Sequence, residues 1–377
     1  MNLSGVTQRR QLPLYGAADE FLAEVNYYTG YIISIINELT QEGHRLTLQH
    51  FSSLRALKAA LVAIVSKEVH PRLAAAAPRP LLILDPQLSQ VDRQVAATLA
   101  QAAGVVIAGE EQGERDQGVT LVSGSNTVPV QSHLAQVIGE LANGNYHLNA
   151  KEIMTQQEAT RLTDLLVEQR GNGAQILSLG CEAKGLDSYA TWEWALPIYS
   201  RYADLPIFLE AESCDYLEWV LPQLPGRPLV LCRQKDATQR ARLLRLCRQH
   251  LAVALLSCQP VVSRRKEAIA EALGALYKEA QEASLTANDC VMEVPTMVVP
   301  EAPLVLAETL DTITLLHSEV ALPLMIAVSQ VSRSRLVHGW TNAYFAACAI
   351  DRGVTLLLAN PSQREVMGLI QAANELR

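Results

Sequence analysis

The stretch that decides the fold is residues 322–361, LPLMIAVSQVSRSRLVHGWTNAYFAACAIDRGVTLLLANP. Two apolar runs, 324–328 and 354–359, are typical of strands buried on both faces. Between them, residues 342–350 are alanine-rich and apolar at helical spacing, and Gly353 ends this pattern. Two parallel strands need a crossover connection of this kind, so the stretch predicts a β-α-β unit.

The same alternation continues upstream as far as residue 119. Apolar runs of strand length lie at 119–123, 175–180, 206–210, 228–232, 252–257, 290–293, 323–328 and 354–359. Helical patterns separate them, for example Leu134, Val137, Ile138 and Leu141. Eight strands alternating with helices predict an α/β protein with a (β/α)8 TIM barrel. A doubly wound open sheet is the alternative, but no G-x-G-x-x-G motif follows any of these strands.

The residues before the barrel form a segment of their own. We place the boundary in the charged turn EEQGERDQG, which gives a segment 1–115 and a barrel 116–377. Residues 1–75 have helical patterns, and residues 81–108 predict one further β-α-β unit. No motif in this N-terminal segment indicates its role.

Composition excludes several classes of function. The 377 residues carry a net charge of −8, which argues against nucleic acid or an acidic membrane surface as a partner. No apolar run reaches the length of a membrane span. The seven cysteines include no C-x-x-C pair, so we expect reduced thiols, a cytoplasmic location and no metal site.

Five segments carry a resemblance to a known family: GNGAQILSLG at 171–180, LPIFLEAESCDYLEWVL at 205–221, GRPLVLC at 226–232, IAVSQVS at 326–332, and NAYFAACAIDRGVTLLLANP at 342–361. Residues 119–372 resemble the pterin-binding, dihydropteroate-synthase-like barrels. These barrels occur in methyltetrahydrofolate:corrinoid methyltransferases and in the folate module of cobalamin-dependent methionine synthase. The resemblance implies a ligand site at the C-terminal ends of the strands, where barrel enzymes place their chemistry.

The resemblance assigns site positions one strand at a time. The family binds the pterin ring with Asp, Asn and Asp after the second, fourth and sixth strands, and the matching residues here are Ser178, Leu231 and Glu293. Glu210 takes the place of the third-strand Asp, and Gln330 that of the seventh-strand Asn. Asn126 takes that of the first-strand Asn. The chain departs from the pattern most at Leu231, whose side chain cannot form a hydrogen bond.

These matches and the polar residues beside them define the predicted site. Glu293 and Gln330 are the candidate catalytic residues, and the candidate binding residues are Asn126, Ser178, Glu210, Glu212, Arg233, Ser329, Arg333 and Asn360. The alternative is structural: salt-bridged carboxylates and solvated loop arginines. Strand-end cysteines at 181, 232 and 258 could ligate a soft metal, but small buried thiols are the commoner explanation. Trp192 and Tyr199 fit either an aromatic wall or the core.

Two functions from different classes follow. The first is a methyltransferase component that moves a methyl group between a reduced pterin such as methyltetrahydrofolate, or another small donor, and a partner corrinoid protein. Cobalamin would come only with that partner, because the chain has no D-x-H-x-x-G motif. The resemblance also implies a homodimer. The second function is that of a catalytically silent barrel that serves as a binding or assembly subunit. The loss of a hydrogen-bonding side chain at Leu231 favours this alternative.

Overall fold

A computed structural model of the chain describes residues 118–376, apart from 124–125, 131–132, 203, 212, 225, 234–235, 259–264, 297–303 and 332–337. Before residue 118 it describes 46–47, 58, 62, 81–83, 90–103 and 106–107. Most of the helical pattern predicted over 1–75 lies outside the described residues, as does the predicted boundary at 115/116.

The N-terminal segment contains a small parallel sheet. Its strands are β1 (Leu46–Thr47), β2 (Leu81–Ile83) and β3 (Val106–Ile107), in that order across the sheet, and helix α1 (Gln90–Ala103) connects the last two. The β-α-β unit predicted over 81–108 is therefore confirmed. Val95 and Leu99 of α1 are fully buried, so the apolar face of this helix is covered.

A β-hairpin precedes the barrel. Strands β4 (Val119–Val122) and β5 (Thr127–Val130) pair antiparallel, with Val119 opposite Val130. The prediction that 119–123 is the first barrel strand is wrong. That strand is β6 (Gln136–Gly139), in a stretch for which the sequence predicted a helix.

Eight parallel strands close into a barrel, which confirms the predicted TIM-barrel class. They are β6, β7 (Ile176–Leu179), β8 (Ile207–Leu209), β9 (Leu229–Cys232), β10 (Val253–Ser257), β11 (Cys290–Glu293), β12 (Leu324–Ala327) and β13 (Val354–Ala359). The last strand pairs with the first, with Leu357 opposite Val137.

Helices surround the barrel in chain order. They are α2 (Leu148–Gln156), α3 (Ala159–Gly171), α4 (Ser188–Tyr202), α5 (Cys214–Val220), α6 (Ala237–Gln249), α7 (Lys266–Glu282), α8 (Leu304–Glu319), α9 (His338–Asp351) and α10 (Arg364–Glu375). Among the helices within the described part of the chain, none is both long enough and apolar enough to span a membrane.

The core has two parts, one inside the barrel and one outside it. A larger apolar cluster lies between the strands and the surrounding helices. A second cluster fills the barrel interior, and it includes Ile176, Phe208 and Leu231 together with Leu121 and Val128 of the hairpin. The hairpin therefore packs into one end of the barrel and closes it with apolar side chains.

The hairpin closes the end at which the strands begin. Val122 exchanges two backbone hydrogen bonds with Arg227, which lies just before β9. The Arg227 guanidinium donates to the Thr120 carbonyl oxygen over 3.0 Å and pairs with Asp289, just before β11, over 2.9 Å. Both side chains of this ion pair are buried. The opposite end of the barrel, where the strands finish, carries no such hairpin among the described residues.

Candidate ligand site at the barrel mouth

Polar side chains form a ring at the end where the strands finish. Successive side chains of a strand point to opposite faces, so the second residue after an inward-facing one also faces inward. On each of the eight strands, the next inward position after the last apolar residue of the barrel interior carries a polar side chain. We call this set the mouth ring: Glu140, Ser178, Glu210, Arg233, Ser257, Glu293, Ser329 and Asn360.

Asn143 connects three elements of the mouth ring. This side chain, in the loop after β6, is fully buried and donates from Nδ2 to Ser178 Oγ over 2.7 Å and to Glu210 Oε1 over 2.8 Å. Ser178 Oγ in turn donates to Glu210 Oε1 over 2.7 Å. The side-chain oxygen of Asn143, Oδ1, accepts a hydrogen bond from the backbone N–H of Asn145 over 2.9 Å. Because both ends of the amide are used, its orientation in the loop is fixed.

Asn145 and Gly180 hold the first loop against the next strand. Asn145 Nδ2 donates to the Glu210 carbonyl oxygen over 3.1 Å, and its Oδ1 accepts from the Glu182 N–H over 2.8 Å. A Cβ at position 180 would overlap the side-chain amides of Asn143 and Asn145. Glycine is therefore required there for the two amides to reach Glu210.

Glu210 is a buried carboxyl group with a pKa near 7. It is 4% exposed, and burial raises its pKa from 4.5 to about 7. Hydrogen bonds from Tyr146 and Ser178 oppose this shift, the nearby Glu293 carboxylate adds to it, and Arg233 opposes it. At neutral pH both protonation states are populated, so this side chain can donate or accept a proton.

Glu293 and Arg233 complete the charged part of the ring. Burial raises the pKa of Glu293, while a hydrogen bond from Ser257 and the charge of Arg233 partly offset that rise. Burial lowers the pKa of the Arg233 guanidinium, but Tyr146, Glu293 and Glu210 outweigh it and the net change is upward. One guanidinium thus lies within electrostatic range of two buried carboxyl groups.

The third carboxylate of the ring belongs to a separate cluster. Glu140, in the loop after β6, accepts a hydrogen bond from Ser329 Oγ, in the turn after β12. His147 Nε2 lies 3.9 Å from Glu140 Oε1. These contacts join the loops after the first and seventh barrel strands across one side of the mouth.

Six of the sequence-predicted site residues lie in the mouth ring: Ser178, Glu210, Arg233, Glu293, Ser329 and Asn360. Gln330 lies at the same end and is half-buried in the turn after β12. Asn360 is in the ring, but its Oδ1 accepts from the Ser362 N–H over 2.8 Å and holds the turn before α10. Glu212 and Arg333 lie outside the described residues.

Two positions assigned from the resemblance are corrected. Asn126 lies in the turn of the β4–β5 hairpin, where it is exposed. Its carbonyl oxygen contacts Ser123, which also donates to the carbonyl oxygen of Asp204 before β8, so Asn126 is at the opposite end of the barrel from Glu210. Leu231 lies one layer below the mouth, in the interior apolar cluster. The inward position at the end of β9 is Arg233.

Two of the three strand-end cysteines and both aromatic residues belong to the core. Cys181 and Cys232 are buried in the cluster between the barrel and the helices, facing away from the mouth ring. The described residues contain no group of three His, Cys, Asp or Glu side chains arranged to hold a metal ion. Trp192 and Tyr199 are also core residues, and Tyr199 OH donates to the Ala142 carbonyl oxygen over 2.9 Å.

Sequence reasoning missed Glu140, Asn143, Asn145 and Tyr146. All four follow β6, which the sequence predicted as part of a helix. A signal was available in QVIGELANGNY at 136–146, where a short apolar pair is followed by one acid and two amides. A strand assignment would have placed these side chains at the mouth with the others.

Comparison with known proteins gives a match in fold. No protein-family model and no curated protein matches this chain. Two solved structures of Xanthomonas albilineans dihydropteroate synthase are similar in fold. One, in complex with indole-2-carboxylic acid and 6-chloroguanine, has 12% identity and a TM-score of 0.53, and the match covers 69% of this chain and 98% of that one. The other, with 4-aminobenzoic acid, has 11% identity and a TM-score of 0.54, covering 68% and 98%. The chain therefore shares the TIM-barrel fold of these two synthase structures.

Proposed function

We propose that the mouth ring binds a reduced pterin and that the protein is the methyltransferase component of a corrinoid-dependent system. The observation that carries the proposal is the pair Glu210 and Glu293, two buried carboxyl groups above an apolar layer at the end of the barrel where chemistry is placed. The similar synthase was solved with 6-chloroguanine, a fused bicyclic ring with an exocyclic amine. A pterin presents the same kind of N–H edge, and a carboxylate accepts from such an edge.

Each group of the ring has a role in this proposal. Glu293 would accept from the amino-pyrimidine edge, and Asn143 with Ser178 would fix Glu210 so that it faces the ring at a constant position. Glu210, with its pKa near 7, would exchange a proton with a ring nitrogen. Gln330, at the rim, would donate to the nitrogen that carries the methyl group. A corrinoid bound to a partner protein would supply the cobalt nucleophile.

The rim of the mouth offers a surface for that partner. Leu148, at the start of α2, is 84% exposed, and Tyr189, at the start of α4, is 48% exposed. The Tyr189 ring packs edge-on against Tyr216, with centroids 4.4 Å apart. Exposed apolar side chains around a polar opening favour docking of a second protein over the mouth. A homodimer remains part of the proposal through the resemblance alone.

The second candidate is the silent barrel, and one observation favours it. Glu210 accepts hydrogen bonds from Asn143, Ser178 and Tyr146, while Arg233 lies within range of both buried carboxyl groups. A ring whose members satisfy one another is stable with no ligand present. On this hypothesis the protein acts through its surface and the polar mouth is structural.

Calorimetric titration with methyltetrahydrofolate separates the two functions. We expect saturable heat for the unaltered protein and at least a tenfold weaker affinity for Glu293→Gln, which removes the charge and keeps the shape. Glu282→Gln, an exposed site on α7, is the matched control and should bind normally. If millimolar ligand gives no heat with any of the three proteins, the pterin proposal fails and the silent barrel stands.

A further inference from the structure

A polar cavity lies at the end of the barrel opposite the mouth ring, between α1 and the starts of the strands. Its volume is about 140 Å³, several times the ~30 Å³ that one water molecule occupies in the liquid. Thr98 and Gln101 of α1 line one side, and Arg227, Arg248 and Asn288 line the other. We call it the basal cavity. It shares no residue with the mouth ring.

Arg227 is a fixed positive charge in the wall of the basal cavity. Its guanidinium donates to the carbonyl oxygens of Thr120, Leu251 and Asn288 over 3.0, 3.0 and 2.6 Å. It also donates to Asp289 Oδ1 over 2.9 Å. The side chain is only 3% exposed, so its position does not depend on a ligand. Asp289 balances the charge of this one arginine.

Arg248 adds a second guanidinium, and the part of the chain that the structure describes supplies no carboxylate at ion-pair distance from it. Its Nη1 donates to the Ala102 carbonyl oxygen at the end of α1 over 2.6 Å, and this bond uses one of five N–H donors. Burial lowers the pKa of Arg248, Asp289 opposes that change, and Arg227 adds to it. The two arginines therefore repel each other, while Asp289 attracts both of them.

Lys58 lies close enough to Arg227 for the two charges to repel, and His250 lies close to Lys58. Lys58 is buried and donates to the carbonyl oxygens of Leu224, over 2.9 Å, and Gly226. Burial, together with the charge of Arg227, lowers the Lys58 pKa to about 7. Burial and the charge of Lys58 lower the pKa of His250 to about 4, so this imidazole is neutral at pH 7. Among the described residues here, positive charges outnumber negative ones.

We propose that the basal cavity binds a small oxyanion, either inorganic phosphate or the phosphate group of a monoester. Excess buried positive charge is costly, and a bound anion offsets it. A guanidinium with donors in a planar fork suits a phosphate, and Arg248 would be the main ligand. Arg227 would contribute its charge, while the amides of Gln101 and Asn288 would donate to the remaining oxygens.

Thermal unfolding at constant ionic strength tests this proposal. We expect phosphate to raise the midpoint of the full-length protein in a saturable manner, since a ligand of the folded state stabilises it by mass action. Gln101→Glu places a negative charge at the cavity on an exposed position of α1, and we expect it to need at least tenfold more phosphate. Gln94→Glu makes the same change two turns away on the same helix and should respond like the unaltered protein.

A second pair of variants guards against loss of folding. Arg248→Met removes the main ligand, and Arg245→Met removes an exposed arginine of the same helix. The quantity compared is the phosphate-dependent change within each protein, so a lower starting midpoint does not affect the result. Glycerol phosphate in place of phosphate distinguishes a monoester site from one that admits only the free ion. A rise that does not saturate, or that is equal in all variants, overturns the proposal.

Discussion

Asn143 and Glu210 meet at the mouth of the barrel, where the amide nitrogen of one donates to the carboxylate of the other over 2.8 Å. The two residues follow the first and third barrel strands, and Ser178 of the second strand donates to the same carboxylate oxygen. These two contacts join three consecutive β-α units at the place where a ligand would bind.

Removing this amide should destabilise the protein. Asn143→Ala leaves Ser178, Glu210 and the half-buried backbone N–H of Asn145 with fewer partners, and we expect a loss of about 1–3 kcal/mol in the free energy of unfolding. Asn149→Ala, an exposed position nearby, should change it by less than about 0.5 kcal/mol. Urea unfolding measures both. Equal losses in the two variants would mean that the Asn143 contacts contribute nothing to stability.

The raised pKa of Glu210 predicts a pH dependence of stability. In the folded state the Glu210 carboxyl group keeps its proton up to about pH 7, whereas a carboxyl group with the ordinary pKa of 4.5 loses its proton at lower pH. Between those values the folded state binds more protons, so the contribution of Glu210 is fully present below pH 4.5 and is lost as the pH rises through 7.

Glu210→Gln should remove this contribution. The difference in free energy of unfolding between the variant and the unaltered protein should shift by on the order of 3 kcal/mol, in favour of the variant, between pH 4.5 and pH 8. Urea titrations across this range measure it. If the two stability curves run parallel, the pKa of Glu210 is not raised.

The buried ion pair at the base predicts a large effect of one substitution. Asp289→Ala leaves the Arg227 charge buried without its carboxylate, and we expect a loss of about 3–5 kcal/mol. Glu218→Gln breaks the exposed pair with Arg242 and should cost less than about 1 kcal/mol. Chemical denaturation compares the two. A small loss for Asp289→Ala would show that solvent reaches Arg227.

Two glycines should respond in opposite directions to alanine. A Cβ at Gly226 would overlap the Val122 carbonyl oxygen, which pairs with the Arg227 N–H, so Gly226→Ala should displace the hairpin and cost about 2 kcal/mol or more. Gly274, inside α7, has no atom within 4 Å of its added Cβ. Gly274→Ala should therefore raise the free energy of unfolding by about 0.5–1 kcal/mol, which urea unfolding measures. If both substitutions raised the free energy of unfolding, the close packing described at Gly226 would be contradicted.

The strands buried on both faces were the easiest part of the fold to predict. The runs 290–293 and 354–359 match β11 and β13 residue for residue, because every residue of both strands is buried. The strand β6 was missed for a physical reason. It has only two adjacent large apolar residues, and with Leu134 and Leu141 these reproduce the i, i+3, i+4, i+7 spacing of a helix.

That error also limited the prediction of the candidate site. Residues at the ends of correctly predicted strands, such as Ser178, Glu210 and Glu293, were found because a strand end identifies the mouth. Asn143 was not, since its loop was hidden inside a presumed helix. The error at the fourth strand has a different origin. The sequence resemblance matched Leu231 to the family's Asn, but the alternation of side chains along β9, counted from the interior residue Leu229, shows that Arg233 is the one that reaches the mouth.

The hairpin of β4 and β5 has a kinetic consequence. Because Leu121 and Val128 seal one end of the barrel with apolar side chains, a small molecule that binds at the mouth can enter and leave only through the mouth. A macromolecule docked over that opening would trap whatever is bound beneath it. With such a partner, the small molecule would have to bind first, and release of the docked protein would set the rate at which the small molecule exchanges.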